Sequence, residues 1–287
     1  FGTGGIPKGR ILDIYGEPSS GKSTMAMFIV AQIQKQGGTA VWIDVEYSFT
    51  SDYAKLVGVD TSKLILVQPQ NAESALNILQ DFVGSGEVDI VVVDSTGALV
   101  PTRELEGEME DANVALQARM MSKILRIITP ACSKHKTSVL FISQTRAKIG
   151  IFHGASKDTT GGNALKFYCA VRLNVERIKT LKGTAEEVIG NRLRITATKN
   201  KIGKPFRSAE IDLYFEKGLD VVGDYLDIAT EKKIVEKEGN TYSFFVRPDQ
   251  KELKLGVGRN SARDFLEEHM DVFEKIKEQL FKLEEEK

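Results

Sequence analysis

The stretch Gly16-Glu17-Pro18-Ser19-Ser20-Gly21-Lys22-Ser23 decides the fold of this chain of 287 residues. It matches the phosphate-loop pattern G-x-x-x-x-G-K-[ST] in full. The pattern over 10–15 predicts a strand before it, and the pattern over 22–36 predicts a helix after it. The glycines allow a tight turn toward phosphate, and the helix N-terminus adds positive potential. The stretch predicts an ATP site in which Lys22 holds the β- and γ-phosphates and Ser23 binds Mg²⁺. The alternative is a chance glycine-rich turn.

Two carboxylates follow other predicted strands. Asp94 ends the apolar run 90–93, and this Walker B pattern predicts a second metal-site group beside Ser23. Glu46 follows the predicted strand 39–45 and is a candidate for activating water. The alternatives are an ordinary polar strand end for Asp94 and a solvated turn carboxylate for Glu46.

The alternation of strands and helices predicts an α/β fold with a mostly parallel central sheet. After Phe167 the connections shorten, and the runs 170–175, 192–198 and 209–215 predict an antiparallel extension of that sheet. We therefore expect an ATPase core over residues 1–225.

The last part of the chain has a different pattern. Ile234 and Val235 stand in a charged helical setting, and Gly239-Asn240 predicts a hairpin. Ser261, with Asp264 at the capping-box position, predicts the start of a helical tail. Residues 226–287 are thus expected to form a small C-terminal α+β domain.

Composition excludes several classes of protein. Lys and Arg number 39 and Asp and Glu number 40, which excludes a uniformly basic binder but not a local basic groove. Two cysteines are too few for a disulfide framework, so we expect reduced thiols and a cytoplasmic protein. No apolar run approaches the roughly 18 residues of a membrane span, so no membrane partner is expected.

The segment 145–162 has no hydrophobic period, and long loops of this kind are usually functional. Arg146, Lys148 and Lys157 outnumber its one acid, Asp158. Such a loop predicts contacts to nucleic-acid phosphates that carry no sequence information. Its last part offers hydroxyls and bare backbone N–H groups at Thr159, Thr160, Gly161 and Gly162.

Further motifs make the chain resemble the RecA family of bacterial DNA strand-exchange recombinases over nearly its whole length. They are Gly4-Gly-Ile-Pro-Lys-Gly-Arg10, Glu104-Leu-Glu-Gly-Glu108, Ala118-Arg-Met-Met-Ser122, Gln144-Thr-Arg-Ala-Lys-Ile-Gly150, Thr159-Thr-Gly-Gly-Asn-Ala-Leu-Lys-Phe-Tyr168 and Lys199-Asn-Lys201. The resemblance implies a RecA-like P-loop core and ATP hydrolysis stimulated by single-stranded DNA. It also implies homologous pairing and strand exchange in recombination and DNA repair.

The resemblance implies roles for individual residues. Glu46 would activate the attacking water, and Gln144 would sense the γ-phosphate. Lys199 and Lys201 would reach the γ-phosphate of a neighbouring subunit; solvated strand lysines are the alternative. Two aromatic residues would flank the adenine, with core packing as the alternative: Tyr53 and Phe215.

By the same resemblance, two loops, at about 104–116 and 145–162, would line the axis of a helical filament. Apolar side chains in these loops would wedge between bases. A solvated helix face is the alternative for the arginines of the helix that follows the first loop. The implied DNA contacts are Val114, Arg119, Ser122, Arg126, Arg146, Lys148, Ile149, Thr160, Gly161, Gly162 and Asn163.

The implied partners are single-stranded and double-stranded DNA, further copies of the chain, and a self-cleaving repressor of the DNA-damage (SOS) response. The family carries an N-terminal polymerisation element that is lacking before Phe1, so we expect the chain to be monomeric or weakly associated. Tyr47, Thr50 and His153 depart from the residues usual in the family.

Two other classes share the phosphate loop. A RecA-fold ring helicase, or another P-loop DNA motor, would unwind DNA, and a nucleotide-binding regulator would show no salt-sensitive DNA affinity. The segments 199–201 and 159–163 favour the recombinase.

Overall fold

The computed structural model describes residues 4–106, 114–146, 158–159, 162–183, 185–245 and 253–285. The chain divides into two compact units. The first comprises Phe1–Ala209 with Phe215–Gly218, and the second comprises Glu210–Tyr214 with Leu219–Lys287.

Strands and helices alternate through most of the first unit. Its strands are β1 (Ile11–Gly16), β2 (Ala40–Asp44), β3 (Ile65–Val67), β4 (Ile90–Asp94), β5 (Ser138–Arg146), β6 (Asp158–Thr159), β7 (Val171–Lys182) and β8 (Val188–Asn200). Its helices are α1 (Lys22–Lys35), α2 (Ser51–Val57), α3 (Ala72–Ser85), α4 (Thr102–Glu106), α5 (Val114–His135) and α6 (Gly162–Tyr168). The short strands β9 (Ser208–Tyr214) and β10 (Gly218–Leu219) lie where the chain passes between the units.

A single sheet organises the first unit, with strands in the order β8-β7-β1-β5-β4-β2-β3. All neighbours from β3 to β7 are parallel, whereas β8 pairs with β7 in the antiparallel direction. This arrangement confirms the predicted fold class. The strand β4 is buried along its whole length, as its apolar sequence predicts for a parallel strand covered on both faces.

The parallel strands end at one common edge of the sheet. Gly16 at the end of β1 is the register partner of Gln144 on β5. Asp44 at the end of β2 pairs with Asp94 at the end of β4. Ligands of α/β proteins bind at this edge, so the sheet brings the candidate residues of separate strands together.

The core on one face of the sheet includes the inner sides of α3 and α5, with Leu79 and Leu125 fully buried. Both cysteines lie in this core as free thiols. Burial raises the pKa of Cys132 to about 11, so this thiol stays protonated at neutral pH. Within the described ranges, no helix has the length and apolar character needed to cross a membrane.

The second unit has its own core and its own sheet of three strands in the order β11-β12-β13, with antiparallel neighbours. The hairpin predicted at Gly239-Asn240 is confirmed, since Glu238 pairs with Thr241 across it. The elements are α7 (Val221–Glu231), β11 (Val235–Glu238), β12 (Thr241–Phe244), β13 (Leu253–Val257), α8 (Arg259–Glu268) and α9 (Met270–Glu285).

Two predictions for this unit are wrong. Val235 lies on β11 and not in a helix, because it pairs with Phe244 and fills the core. Ser261 does not cap a helix. The chain turns at Gly258, whose φ of 89° suits glycine, and α8 begins directly after it. The predicted helical tail is two helices, interrupted at His269.

Candidate functional site

The phosphate loop joins the end of β1 to the start of α1, as the sequence predicts. Gly16 is required by sterics, since a Cβ atom there would lie 2.3 Å from the carbonyl oxygen of Val175. Gly21 has a φ of 91° and stands at the N-cap of α1. The hydroxyl of Ser20 is buried without a hydrogen-bond partner in the described structure. A buried donor of this kind fits a site that receives phosphate oxygens.

Lys22 is the first residue of α1, directly after the turn of the phosphate loop, and is buried. Its ammonium group donates to the carbonyl oxygen of Glu17 at 2.7 Å. Burial lowers the pKa of Lys22, while the charges of Asp94 and Glu46 oppose this shift. The ammonium is therefore held beside the carboxylates at the end of the sheet.

Ser23, in the first turn of α1, donates its hydroxyl to the Asp94 carboxylate at 2.8 Å. Burial raises the pKa of Asp94 to about 6, and the nearby carboxylates Glu46 and Asp44 act in the same direction. A hydroxyl and a carboxylate are the oxygen ligands that Mg²⁺ prefers. The donor set and the local negative charge therefore fit this ion.

Glu46 lies between the ends of β4 and β5. It accepts hydrogen bonds from the hydroxyl of Ser95 and from the Gln144 side chain, the latter at 3.0 Å. The structure thus brings Glu46 and Gln144 into direct contact, although 98 positions separate them in the chain.

Asp44 is a residue of this edge that the sequence analysis missed. It is fully buried and accepts from the backbone N–H groups of Ser48 and Phe49 at 3.2 and 3.0 Å. The side chain of Gln68 donates to it at 2.9 Å. These bonds fix the turn that carries Glu46. The sequence offers one indication of Asp44, because it is a charged residue at the end of an otherwise apolar strand.

The two predicted adenine neighbours occupy different settings. The hydroxyl of Tyr53 lies 3.0 Å from that of Thr24, so Tyr53 is tied to the helix that follows the phosphate loop. Phe215 is 45% exposed, and its backbone N–H donates to the carbonyl of Ile189. Their role beside adenine stays a prediction.

Lys199 and Lys201 lie at the opposite edge of the sheet from the phosphate loop. Lys199 is the register partner of Arg172, which pairs with Asp13 near the start of β1. The backbone N–H of Lys201 donates to the carbonyl of Ala170, at the same edge. Along β1, Gly16 lies about 16 Å beyond the level of Lys201 and about 10 Å beyond the level of Lys199. The structure therefore does not bring these lysines to the phosphate loop of their own chain.

The side chains of both lysines contact the C-terminus of α6. Lys199 donates to the carbonyls of Lys166 and Phe167 at 2.5 and 2.9 Å, and Lys201 donates to that of Phe167 at 3.3 Å. Burial, followed by the charge of Lys201, lowers the pKa of Lys199. Cations are favourable at this end of a helix because of its dipole.

The predicted DNA contacts before residue 130 lie on α5. Arg119 and Arg126 are exposed, and Ser122 donates to the carbonyl of Ala118 within the helix. Val114 is the first residue of this helix. The segment 107–113 lies outside the described residues, between α4 and α5.

The remaining predicted DNA contacts lie in or beside the segment between β5 and α6. Arg146 ends β5, Gly162 begins α6, and the Asn163 side chain accepts from the Lys166 ammonium at 3.3 Å. Four further predicted contacts lie outside the described residues, namely Lys148, Ile149, Thr160 and Gly161.

A phosphate loop between a parallel strand and a helix, with carboxylates ending two neighbouring strands, defines a P-loop nucleoside triphosphatase. A family model described as the RecA N-terminal domain matches residues 1–220, and one described as the RecA C-terminal domain matches residues 223–283. The chain belongs to the RecA family, which confirms the resemblance seen in its motifs.

Curated relatives agree with this membership. The protein RecA of Lactobacillus acidophilus is 47% identical over 280 residues, which cover 98% of this chain and 75% of that protein. The protein RecA of Syntrophus aciditrophicus is 46% identical, with 98% and 80% covered. The fold is also similar to the crystal structure of the RadB recombinase, with a TM-score of 0.55 and 19% identity, over 75% of this chain and 92% of that one.

Proposed function

We propose that ATP, held at the end of β1, controls how tightly this RecA-family recombinase binds single-stranded DNA. As a member of the family, the chain is a DNA-dependent ATPase that acts in homologous pairing and DNA repair. The contact that carries the proposal is the hydrogen bond from Gln144 to Glu46. It joins the strand that enters the basic segment 145–162 to the carboxylate that we assign to hydrolysis.

The phosphate loop is the proposed ATP site of this chain. Lys22 would neutralise the β- and γ-phosphates. The hydroxyl of Ser20, which has no hydrogen-bond partner among the described residues, would donate to phosphate oxygen. Ser23 and Asp94 would hold Mg²⁺, which supplies charge neutralisation at the phosphates when bound. Tyr53 and Phe215 are proposed to flank the adenine ring.

Glu46 is the proposed group that orients and deprotonates the attacking water. In the described structure it shares its carboxylate with Ser95 and Gln144. A γ-phosphate would offer the Gln144 amide a second acceptor of higher charge. Gln144 would then change partner, and the change would be transmitted to the segment that follows β5.

Lys199 and Lys201 are proposed to act on the ATP of a neighbouring subunit. Their distance from the phosphate loop of the same chain supports this proposal, since both lysines are two strands away from β1 and level with residues well before its end. A lysine ammonium at the γ-phosphate would stabilise the charge that develops on its oxygens during hydrolysis. A hydrolytic site completed by these ammonium groups would therefore form only between associated chains.

The DNA surface is proposed to consist of the segments 104–116 and 145–162 together with the start of α5. The exposed positions of Arg119 and Arg126 support this proposal. Contacts to phosphates, with Val114 and Ile149 between bases, would leave the base edges free for pairing with double-stranded DNA.

We infer a core over 1–225 and a C-terminal domain over 226–287, assembly into a helical filament, stimulation of repressor self-cleavage, and a cytoplasmic location where chromosomal DNA lies. Light scattering of the 287-residue chain measures its self-association directly.

The proposed function is tested by ATP turnover with and without single-stranded DNA, at about 50 mM and about 200 mM salt. We expect stimulation that weakens at the higher salt concentration. The Arg119→Ala/Arg126→Ala double variant should lose most of the stimulation. Lys134→Ala, an exposed change about 12 Å beyond Arg126 along α5, should keep it. Equal turnover with and without DNA in the native chain would contradict the proposal.

A further inference from the structure

A continuous line of hydrogen bonds crosses the sheet below the site. It consists of Thr96, Ser143, Asp13 and Arg172, which we call the buried polar chain. The hydroxyl of Thr96 donates to that of Ser143 at 3.1 Å, and Ser143 donates to the Asp13 carboxylate at 2.7 Å. Arg172 donates to the other oxygen of that carboxylate at 2.8 Å. No part of the mechanism proposed above uses these side chains.

The hydrogen bonds of the buried polar chain converge on Asp13. Thr96 and Ser143 donate toward its carboxylate from one side, and Arg172 donates from the other. Thr96, Ser143 and Asp13 are fully buried, and Arg172 is 9% exposed. A buried carboxylate is costly unless charged and polar donors satisfy it, so both bonding partners of Asp13 matter to the fold. Hydrogen bonds in series also polarise one another, and the loss of one member weakens the others.

The members are close, in the sequence or in the sheet, to residues of the functional site. Ser143 directly precedes Gln144, and Thr96 directly follows Ser95, which donates to Glu46. Asp13 lies on the strand that enters the phosphate loop. Arg172 is the register partner of Lys199.

The buried polar chain is also linked to α5, the helix that follows the segment 107–113. The side chain of Gln117, on α5, donates to the backbone carbonyls of Thr96 and Leu99 at 2.8 and 3.1 Å. The connected residues therefore extend from α5, which follows one proposed DNA-binding segment, to β5, which leads into the other.

We propose that Ser143 and Thr96 are positioning residues for DNA-stimulated ATP hydrolysis, an inference that rests on the proposed function. By tying the end of β5 to Asp13, they fix the backbone from which Gln144 contacts Glu46. Successive side chains of a strand point to opposite faces, so Ser143 is anchored in the core while Gln144 remains available to the site. Without that anchor, the end of β5 would shift relative to Glu46.

Steady-state kinetics of Ser143→Ala test this inference. Turnover at saturating single-stranded DNA should fall about tenfold, while the KM for ATP should change less than about twofold, because the phosphate loop is intact. The matched control is Ser138→Ala at the other end of β5. Ser138 is also buried, but its hydroxyl donates to the carbonyl of Pro7 at 3.0 Å, away from the buried polar chain. This control should keep both constants within about twofold of the native values.

Thr96→Val provides a second variant of nearly the same shape. Its turnover should fall less than that of Ser143→Ala, and the double variant should lose less than the product of the two effects, because Thr96 acts through Ser143. Two results would overturn the inference. The first is native turnover in a Ser143→Ala variant that unfolds cooperatively. The second is a loss of turnover in the double variant that equals the product of the two single losses. If Ser143→Ala does not fold, unchanged turnover in Thr96→Val overturns it. A native chain without DNA stimulation would instead contradict the proposed function.

Discussion

The hydroxyl of Ser23 donates to the carboxylate of Asp94 at 2.8 Å, across 71 positions of sequence. This bond joins the first turn of α1 to the end of β4. It holds two oxygen ligands in contact at the point where the negative charges of Asp44 and Glu46 also act. A divalent cation would find both its ligands and its counter-charges at this place.

Ser23→Ala should remove most of the benefit that Mg²⁺ gives to ATP binding. The native chain should bind ATP more tightly with Mg²⁺ than in excess chelator, because the ion links Ser23 and Asp94 to the phosphates. In the variant this difference should shrink by about tenfold or more. Titration calorimetry with and without Mg²⁺ measures it, and the metal-free arm serves as the internal control. An undiminished Mg²⁺ effect in Ser23→Ala would contradict the assignment.

Mixing two inactive variants should restore activity if Lys199 acts on a neighbouring subunit. Glu46→Gln lacks the proposed base, and Lys199→Ala lacks the proposed cation. In a random mixture about a quarter of the interfaces would combine a native Glu46 with a native Lys199. DNA-stimulated turnover of the mixture should therefore exceed that of either variant alone.

The control for this mixing experiment is Glu46→Gln with Lys22→Ala. Both residues belong to the same chain's site, where Glu46 influences the pKa of Lys22. No nucleotide site in that mixture contains both native groups, so turnover should stay at the level of the single variants. No recovery in the first mixture would show that Lys199 does not act in trans. Recovery in this control would show that Glu46 and Lys22 do not serve the same chain's site.

Asp224→Asn should stabilise the chain at neutral pH. Burial, followed by the charges of Asp227 and Asp220, raises the pKa of Asp224 from 3.8 to about 6. Because the folded state then binds more protons, stability falls as pH rises from about 4 to about 6. The variant removes this penalty, and the gain at pH 7 should be on the order of 1 kcal/mol and should vanish below about pH 4.

Urea unfolding at several pH values measures the effect. Asp271→Asn is the matched control, because Asp271 is an exposed acid in the first turn of α9. Its substitution should change the free energy of unfolding by less than about 0.5 kcal/mol. A native-like stability of Asp224→Asn at pH 7 would contradict the prediction.

The sequence predicts those parts of the site whose residues are close together in the chain or belong to a recognisable motif. Lys22 and Ser23 follow from the spacing of one strand, one loop and one helix, and the apolar run before Asp94 marks a buried strand end. The contact of Glu46 with Gln144 depends on the order of β2, β4 and β5 in the sheet. Nothing in the spacing of these two residues specifies that order.

The contacts of the buried polar chain also depend on strand order, which the sequence does not specify. Asp13 is visible as a polar residue within an apolar strand, but its partner Arg172 is 159 positions away and is reached only because β7 pairs with β1. The prediction that a helix starts at Ser261 was wrong for a local reason. A serine three residues before an acid imitates a helix cap, whereas the backbone turns at the preceding glycine, Gly258.

The most direct test of the central claim is the affinity for a single-stranded oligonucleotide with a non-hydrolysable ATP analogue and with ADP. The native chain should bind at least about tenfold more tightly with the analogue. Lys35→Ala, an exposed change in the last turn of α1, should behave like the native chain, and Lys22→Ala should show no difference between nucleotides. Equal affinity of the native chain with both nucleotides would contradict the account.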